Sequence, residues 1–521
     1  MADYCGLTSL GIVCALGDDT EVVWRRAAAG DTSGMKTVQG VLPDGQSAPF
    51  GICETETGDA PSRVAALLMA ASKEIAKEVS SLKETYGAGR IAVVLGTSNS
   101  TMEEFTSNPV RIDMATPALF LRSFLGLGGP AISVSTACSS GVKAFATARK
   151  LIARGVCDAA VVGGADAFSR VVVNGFNALE VVNRGLCTPM GENREGINLG
   201  EGAALFTMEK NRGEIALLGI GESSDAHHLT APDPEGRGAE ASMRAALADA
   251  KIEAEDIVYV NLHGTGTVQN DKMESAAVWR VFGQGPLCSS SKPMIGHALG
   301  AAGALEAALS FLMLRHGGCA LPHPLSIPVD PQLPALRLAG KGTPCPSGPV
   351  LSNSFAFGGS NASMVIGAPR PEDVLPHDPP MVLITSLDAS SFTGDSLSAF
   401  VDIDEKSPFY DSAIDGVPAS VALEYMAQTM AALVGLKRRR ERLDVRIGFV
   451  LGSRSLKVNV DRFSSGSRYR IDVNLGFTDG SFASFDASIF APDGTVAARG
   501  TVNAFEPEDA DIENFKKGGE K

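Results

Sequence analysis

Long apolar runs are missing from this chain: no uninterrupted stretch reaches the roughly 18–20 residues that a membrane-spanning helix needs, so no membrane span is expected. The opening Met1-Ala2-Asp3-Tyr4 lacks the basic start and apolar core of a secretory signal. No Cys-x-x-Cys pair occurs, and the nine cysteines are an odd number. A reducing cytoplasm therefore suits the chain better than a disulfide framework, and most cysteines, such as Cys14 and Cys157, read as small buried hydrophobes. Positive charge is short: 45 Lys and Arg against 60 Asp and Glu leave a net −15, which disfavours nucleic-acid binding. Nucleotide-binding loops, metal-ligand clusters and redox motifs are absent too, so neither a bound cofactor nor a metal is expected. What the chain does have is 57 glycines and 44% hydrophobic residues over 521 positions. That suits an α/β protein with many tight turns and room for two or three domains.

Residues 1–369 alternate between two kinds of segment. Runs at 91–95, 131–134, 159–163, 203–208, 257–262 and 362–366 read as strands. Runs at 142–153, 238–250, 273–282 and 297–315 read as helices. This alternation predicts mainly parallel sheets covered on both faces, with an internal echo too faint to count as a repeat. The Pro- and charge-rich stretch after Gly367 ends the rhythm, so 370–374 reads as a linker. In 375–507 one long apolar helix, near 417–436, precedes strand-like runs at 446–460, 468–475, 481–490 and 495–505. That order predicts an α+β unit with a helix across a curved antiparallel sheet. Residues 508–521 form a polar tail expected to lack structure.

Cys138 stands in Ser135-Thr136-Ala137-Cys138-Ser139-Ser140-Gly141, where strand gives way to helix. A thiol there meets the positive end of the helix dipole and unpaired N–H groups, which favour the thiolate. Two more Gly-rich patches follow: His263-Gly264-Thr265-Gly266-Thr267, and Lys292-Pro293-Met294-Ile295-Gly296-His297. Alone, such a cysteine is more often structural, and such a histidine more often marks a turn or the core. Together they match one chemistry. A thiolate can take an acyl group from a thioester. Two neutral imidazoles can stabilise the enolate left when a malonyl thioester loses CO2, and a lysine fixes the local field. His227-His228 lacks a third ligand and reads as polar loop packing rather than a metal site.

Seven segments together resemble the elongating β-ketoacyl-[acyl-carrier-protein] synthases: STACSSG at Cys138, GGADA from Gly163, NLGEGAA from Asn198, DAHHLTAPDPEG from Asp225, HGTGTVQNDKMES from His263, KPMIGHALGAAGALEA from Lys292 and NSFAFGGSN from Asn353. The resemblance covers nearly all of 1–369 and implies a thiolase-like layered αβαβα fold. It implies Cys138 as nucleophile, His263 and His297 as the pair acting at decarboxylation and condensation, and Lys292 as supporting cation with Glu306 as its carboxylate neighbour. Thr265 and Thr267 would touch the phosphopantetheine arm. The N–H groups of Cys138 and Phe357 would form an oxyanion hole, and the Phe357 ring would gate the acyl pocket on a loop freed by Gly358 and Gly359. Ala356 stands where the family usually has glycine and is expected to stiffen that gate. The implied partners are acyl and malonyl thioesters on acyl carrier protein and a second subunit, as a homodimer or with a different synthase or dehydratase chain. A noncatalytic chain-length subunit is the competing reading, and the intact Cys-His-His set argues against it.

In the second domain, Pro418 to Gln428 resembles the central helix of hotdog-fold 3-hydroxyacyl-carrier-protein dehydratases, and Leu375-Pro376-His377 their opening. Asp415-Gly416-Val417-Pro418, Glu424 to Gln428 and Gly448 to Arg454 are most similar to a group associated with aryl polyene pathways. Glu424 and Gln428, four apart, share a helix face. The family pairs its acid with an upstream histidine. No histidine follows Met381, and a gapless extension puts Tyr410 at that place. The resemblance therefore implies a dehydratase relic, with a two-activity enzyme as alternative. Lys437-Arg438-Arg439-Arg440 reads as a solvated helix end, or as a docking patch for an acidic carrier.

Overall fold

The computed structural model describes residues 4–102, 113–453 and 455–507. The polar tail 508–521 and Arg454 lie outside the described residues. Contacts divide the chain into two compact units: Cys5–Lys210 with Leu217–Gly367, and Ala368–Lys521 with Met1–Tyr4 and Asn211–Ala216.

The first unit is built on an eleven-stranded sheet. In its first half, the strands Cys5–Val13, Ile91–Gly96, Ala131–Val134, Ala159–Asp166 and Gly202–Lys210 lie in the spatial order third, second, fourth, fifth, first. Ala216–Ser224, Tyr259–Asn261, Leu287–Ser289, Val350–Ala356 and Ser360–Gly367 repeat that order in the second half, and the two-residue strand Arg337–Leu338 adds an outer edge. The pairings repeat as well. In each half the second strand runs parallel to the third and fourth, and the fourth antiparallel to the fifth. The faint echo in the sequence is thus a duplicated topology, and the expected layered α/β architecture is observed.

Burial explains why these segments are so apolar. The strand Ala159–Asp166, parallel to one neighbour and antiparallel to the other, is buried at every position, as expected for a central strand covered on both faces. In the helix Ala302–His316 every residue from Ala302 to Met313 is buried, so it is an internal helix rather than an amphipathic surface one. The second half begins its chemistry where parallel strands end. His263 follows Tyr259–Asn261, and Lys292 follows Leu287–Ser289.

The second unit has an antiparallel sheet in the order Ser386–Asp388, Ser396–Ile403, Ser467–Asp479, Phe482–Phe490, Val496–Phe505, Phe449–Ser453. The helix Ala422–Arg440 packs against its central strands, the hotdog arrangement. Ala419–Arg440 reaches the length and hydropathy of a membrane span among the described residues, yet it is the helix that covers this sheet. Two features differ from expectation. Strands precede the helix as well as follow it: Leu397, Ala399, Val401 and Ile403 alternate inward, but small Ala399 and outward Phe400, which lies under the Arg468 guanidinium at 4.5 Å, make the alternation shallow in sequence. The expected linker is instead a helix, Pro371–Val374. It is pressed so close to the long helix that a Cβ on Gly435 would lie 2.0 Å from Val374 O.

Candidate active site

Ala131–Val134 leads into a tight elbow. Ala137 takes a left-handed φ of 52°, a strained conformation for a residue with a Cβ, and Cys138 follows it just ahead of the helix Ser140–Ala153. The hydroxyls of STACSSG lock the elbow. Ser140 Oγ accepts from Thr136 N (2.8 Å) and donates to Ala137 O (2.5 Å), and Ser139 Oγ donates to Thr136 O (2.8 Å). Across from it, NLGEGAA pins the main chain of His297, which donates to Asn198 O (2.8 Å) and accepts from Gly200 N (2.9 Å). A close helix crossing draws the two ends together. A Cβ on Gly141 would lie 2.6 Å from Ala304 N, so only glycine lets Ser140–Ala153 meet Ala302–His316 at this distance.

Cys138 Sγ lies 2.9 Å from His297 Nε2. The His263 and His297 rings stand perpendicular with centroids 5.3 Å apart, and the sulfur and one nitrogen of each ring all fall within 4.8 Å of one another. Behind them, fully buried Lys292 places Nζ 2.6 Å from Glu306 Oε1. A cavity of about 470 Å³ opens over Cys138, His263 and His297 and is also lined by Thr265, Thr267 and Phe357. Thr265 Oγ1 and Thr267 Oγ1 lie 2.9 Å apart, and Thr267 caps the helix Val268–Phe282. The six residues come from four separate stretches of sequence, and the fold brings them to one cavity.

Burial governs the electrostatics. It pushes the Cys138 thiol up to about 12, against the pull of Lys292 and of the Phe357 and Cys138 N–H groups. The resting sulfur is a thiol, which corrects the thiolate expected from the helix start: desolvation in a cavity outweighs the dipole. Burial, joined by the Lys292 charge, holds both imidazoles well below their ordinary value, so both are neutral at neutral pH. Nδ1 of each ring is buried without a partner, which leaves Nε2 as the nitrogen available to a substrate. A thiol beside a neutral imidazole can hand over its proton as the sulfur attacks. Burial also raises the Glu306 carboxyl, against Lys292.

The gate region differs from expectation in one respect. Ala356 ends the strand Val350–Ala356 at φ −106°, where a methyl adds no strain. The left-handed residues are Gly358 (φ 80°) and Gly359 (φ 72°), so the loop keeps its glycine freedom. Phe357 stacks on Phe176 with centroids 5.6 Å apart. The loop is stitched to the segment after Asp225: Gly358 N donates to Leu229 O (2.7 Å), Asp225 N to Gly359 O (2.8 Å) and Asn361 Nδ2 to Asp225 Oδ1 (2.7 Å). In that segment His228 Nδ1 accepts from Thr230 N (3.2 Å) and Ala231 N (3.3 Å), which is polar loop packing.

Two buried carboxylates escaped sequence reasoning. Glu274 accepts from His263 N and Gly264 N, each at 2.7 Å, and burial raises it to about 7. Asp166 accepts from Thr97 Oγ1 (2.6 Å) and from Gly300 N (2.7 Å), tying one strand end to the turn after His297, and burial raises it to about 6. Both lie inside quoted motifs, and an acid within an otherwise buried element was the available signal.

In the second unit, Gln428 Nε2 donates to Glu424 Oε1 (2.9 Å) and Met381 O (2.8 Å), and its Oε1 accepts from Leu383 N (2.7 Å). The amide clamps the 381–383 segment onto the helix. The Tyr410 hydroxyl donates to Asp415 Oδ1 (3.0 Å). Arg438 pairs with Glu506 at 3.0 Å, and buried Arg439 with Asp444 at 3.4 Å. Lys437 faces Asp395 at 3.5 Å. Three cations of the basic run are thus paired within their own unit, and Arg440 lies over the Phe392 ring at 5.8 Å.

Comparison with known proteins agrees with this geometry. Residues 47–212 and 215–324 match the family models described as the N-terminal and C-terminal domains of beta-ketoacyl synthase. Nodulation protein E of Rhizobium leguminosarum bv. trifolii is 32% identical over 400 residues, spanning 68% of this chain and 97% of that protein. The chain belongs to the β-ketoacyl synthase family. The 3-oxoacyl-[acyl-carrier-protein] synthase 2 of Staphylococcus aureus is 29% identical over 404 residues, 69% of this synthase and 99% of that one. Among solved structures, a chain of the complex between the ketosynthase ApeO and its chain length factor ApeC from Xenorhabdus doucetiae is 39% identical. It superposes with a TM-score of 0.67 over 70% of this synthase and 98% of that chain. The ishigamide ketosynthase/chain length factor gives 27% identity and a TM-score of 0.64, over 71% and 100%. Residues 369–517 match the ApeP-like family, described as ApeP dehydratase. The chain is thus a condensing enzyme of the acyltransferase type joined to a dehydratase-like hotdog domain.

Proposed function

We propose that this β-ketoacyl synthase carries out decarboxylative condensation of carrier-bound acyl chains at Cys138. The observation that carries the reading is the 2.9 Å contact between Cys138 Sγ and His297 Nε2 beside a second neutral imidazole. Sulfur attacks the thioester carbonyl, its proton passes to His297 Nε2, and the oxyanion meets the N–H groups of Cys138 and Phe357. Collapse expels the carrier's thiolate, which takes that proton. A malonyl thioester then loses CO2, and the electron pair moves onto an enolate whose oxygen accepts hydrogen bonds from Nε2–H of His263 and of His297, the latter having exchanged its ring proton from Nδ1 to Nε2 after acylation. The enolate carbon attacks the acyl carbon and expels the Cys138 sulfur as a thiolate, which takes a proton from solvent to restore the resting thiol. Burial and the charge of Lys292, itself held by Glu306, keep the imidazoles neutral, and Thr265 and Thr267 bind the pantetheine amide. The carrier's own arm supplies everything else, so no bound cofactor takes part.

The substrate donor is an acyl carrier protein, as in the name of the staphylococcal relative. The second subunit is another copy or a chain-length-factor-like partner, as in the Xenorhabdus complex. The hotdog domain binds or guides chains without dehydrating them: the amide of Gln428 is taken up by Glu424 and main chain, and no histidine follows Met381. The test of the condensing role is CO2 release from malonyl-carrier protein by the full chain. His263→Ala and His297→Ala should each slow it by about 10²–10³-fold, and undiminished release in both would overturn the reading.

A further inference from the structure

Everything that reaches Cys138 passes the mouth of one cavity, so whatever carries the pantetheine arm must dock on that rim. Among the described residues, the lining of this cavity is not basic. Four charged residues line the cavity: Glu180, Glu195, Asp225 and Arg194. The arginine is buried and held by Asp330 at 2.6 Å. Arg237, which opens the helix Arg237–Ala250, is paired with Asp233 at 2.7 Å. Large apolar side chains stand exposed instead. Leu179 is 44% exposed, Val268 58% and Phe357 38%, and all three line the cavity. Leu229, 77% exposed, sits on the carbonyl that holds the gate loop through Gly358 N. Single exposed apolar residues are ordinary; here three line one catalytic cavity and a fourth is bonded through its carbonyl to the gate loop.

We infer that the carrier protein docks on this rim through apolar contacts, with Leu229 and Val268 seated against an apolar patch around its pantetheine-bearing serine. The inference rests on the condensing role proposed above and names how its partner is recognised. The acidic lining and the net charge of −15 repel an acidic carrier at long range, so attraction at the mouth comes from area removed from water. Because Leu229 is hydrogen-bonded to the gate loop, a carrier pressing on it also touches the loop that bears Phe357.

The experiment compares two malonyl donors with the full-length enzyme: malonyl loaded on a bacterial fatty-acid carrier protein, and malonyl-pantetheine. Variants Leu229→Asp, Val268→Asp and Val268→Lys are measured with both donors, and the wild type from about 50 to 500 mM salt. Docking through apolar contacts predicts that all three variants lower kcat/KM for the carrier at least tenfold, and that Leu229→Asp, outside the cavity lining, changes it for malonyl-pantetheine less than about twofold. It also predicts that the wild-type carrier rate holds or rises with salt, because screening only relieves the long-range repulsion. A carrier rate that falls tenfold with salt, or rises in Val268→Lys, would show electrostatic docking and overturn the inference, as would unchanged carrier kinetics in all variants. Absence of turnover with either donor in the wild type would instead remove the condensing role itself.

Discussion

His297 Nε2 sits 2.9 Å from a sulfur whose proton burial retains, and both imidazoles are held neutral by burial and by Lys292. The sign of the pH dependence follows. The competent form of each ring is the neutral one, and its folded-state value lies well below the ordinary 6.5. Lowering the pH through 6.5 therefore leaves both rings unprotonated and active. The ring-proton NMR resonances of His263 and His297 should show no titration between about pH 5.5 and 7.5, a readout that the carboxyls of Glu274 and Asp166, raised to about 7 and about 6, do not supply; a ring that titrates near 6.5 would contradict the account. Glu274 makes a second prediction at this scale. Glu274→Gln turns one acceptor into a donor facing the buried N–H of His263 or Gly264, at a cost of about 1–3 kcal/mol. Both the melting temperature and the condensation rate should fall, and an unchanged melting temperature would remove its role as a clamp. Cys138, His263, Lys292 and His297 were readable from sequence because their chemistry is written in local motifs. The protonation of the sulfur was not, because burial is a property of the assembled cavity. The clamping by Glu274 and Asp166 was not, because their partners are main-chain N–H groups that every residue carries.

Among elements, the decisive contact is between two helices that each begin at a catalytic loop. Gly141 lets Ser140–Ala153 approach Ala302–His316 until their starts hold Cys138 and His297 in contact. Gly141→Ala places a Cβ 2.6 Å from Ala304 N, so the helices must separate. We expect a loss of about 1–3 kcal/mol, read as a lower melting temperature, together with slower acylation of Cys138. A variant as stable and as fast as the wild type would show that the crossing does not position the site. The strand-to-helix alternation of the first unit was legible because buried parallel strands are continuously apolar. The strand Ser396–Ile403 was not, since a small inward alanine and an outward phenylalanine blur its period. Ala356 was read as a stiffening substitution, yet its extended φ shows that the turn's freedom lies two residues on, at Gly358 and Gly359.

For the whole molecule, the duplicated strand order puts the cysteine loop in one half of the sheet and the histidine loops in the other. A faint sequence echo could not reveal that, because topology is kept while sequence diverges. The second unit adds a hotdog domain whose Glu424–Gln428 pair is engaged in holding its own opening segment. Full-length Cys138→Ala, incubated with a 3-hydroxyacyl-carrier thioester, should therefore form no enoyl product; clear turnover would make the enzyme two-activity. The account as a whole rests on one covalent bond. Intact-protein mass spectrometry of the full-length enzyme, after exposure to acyl-loaded carrier protein, should show a single added acyl mass. Peptide mapping should place that mass on Cys138, and it should be absent from Cys138→Ala. An acyl mass that persists in that variant, or that maps to another residue in the wild type, would contradict it.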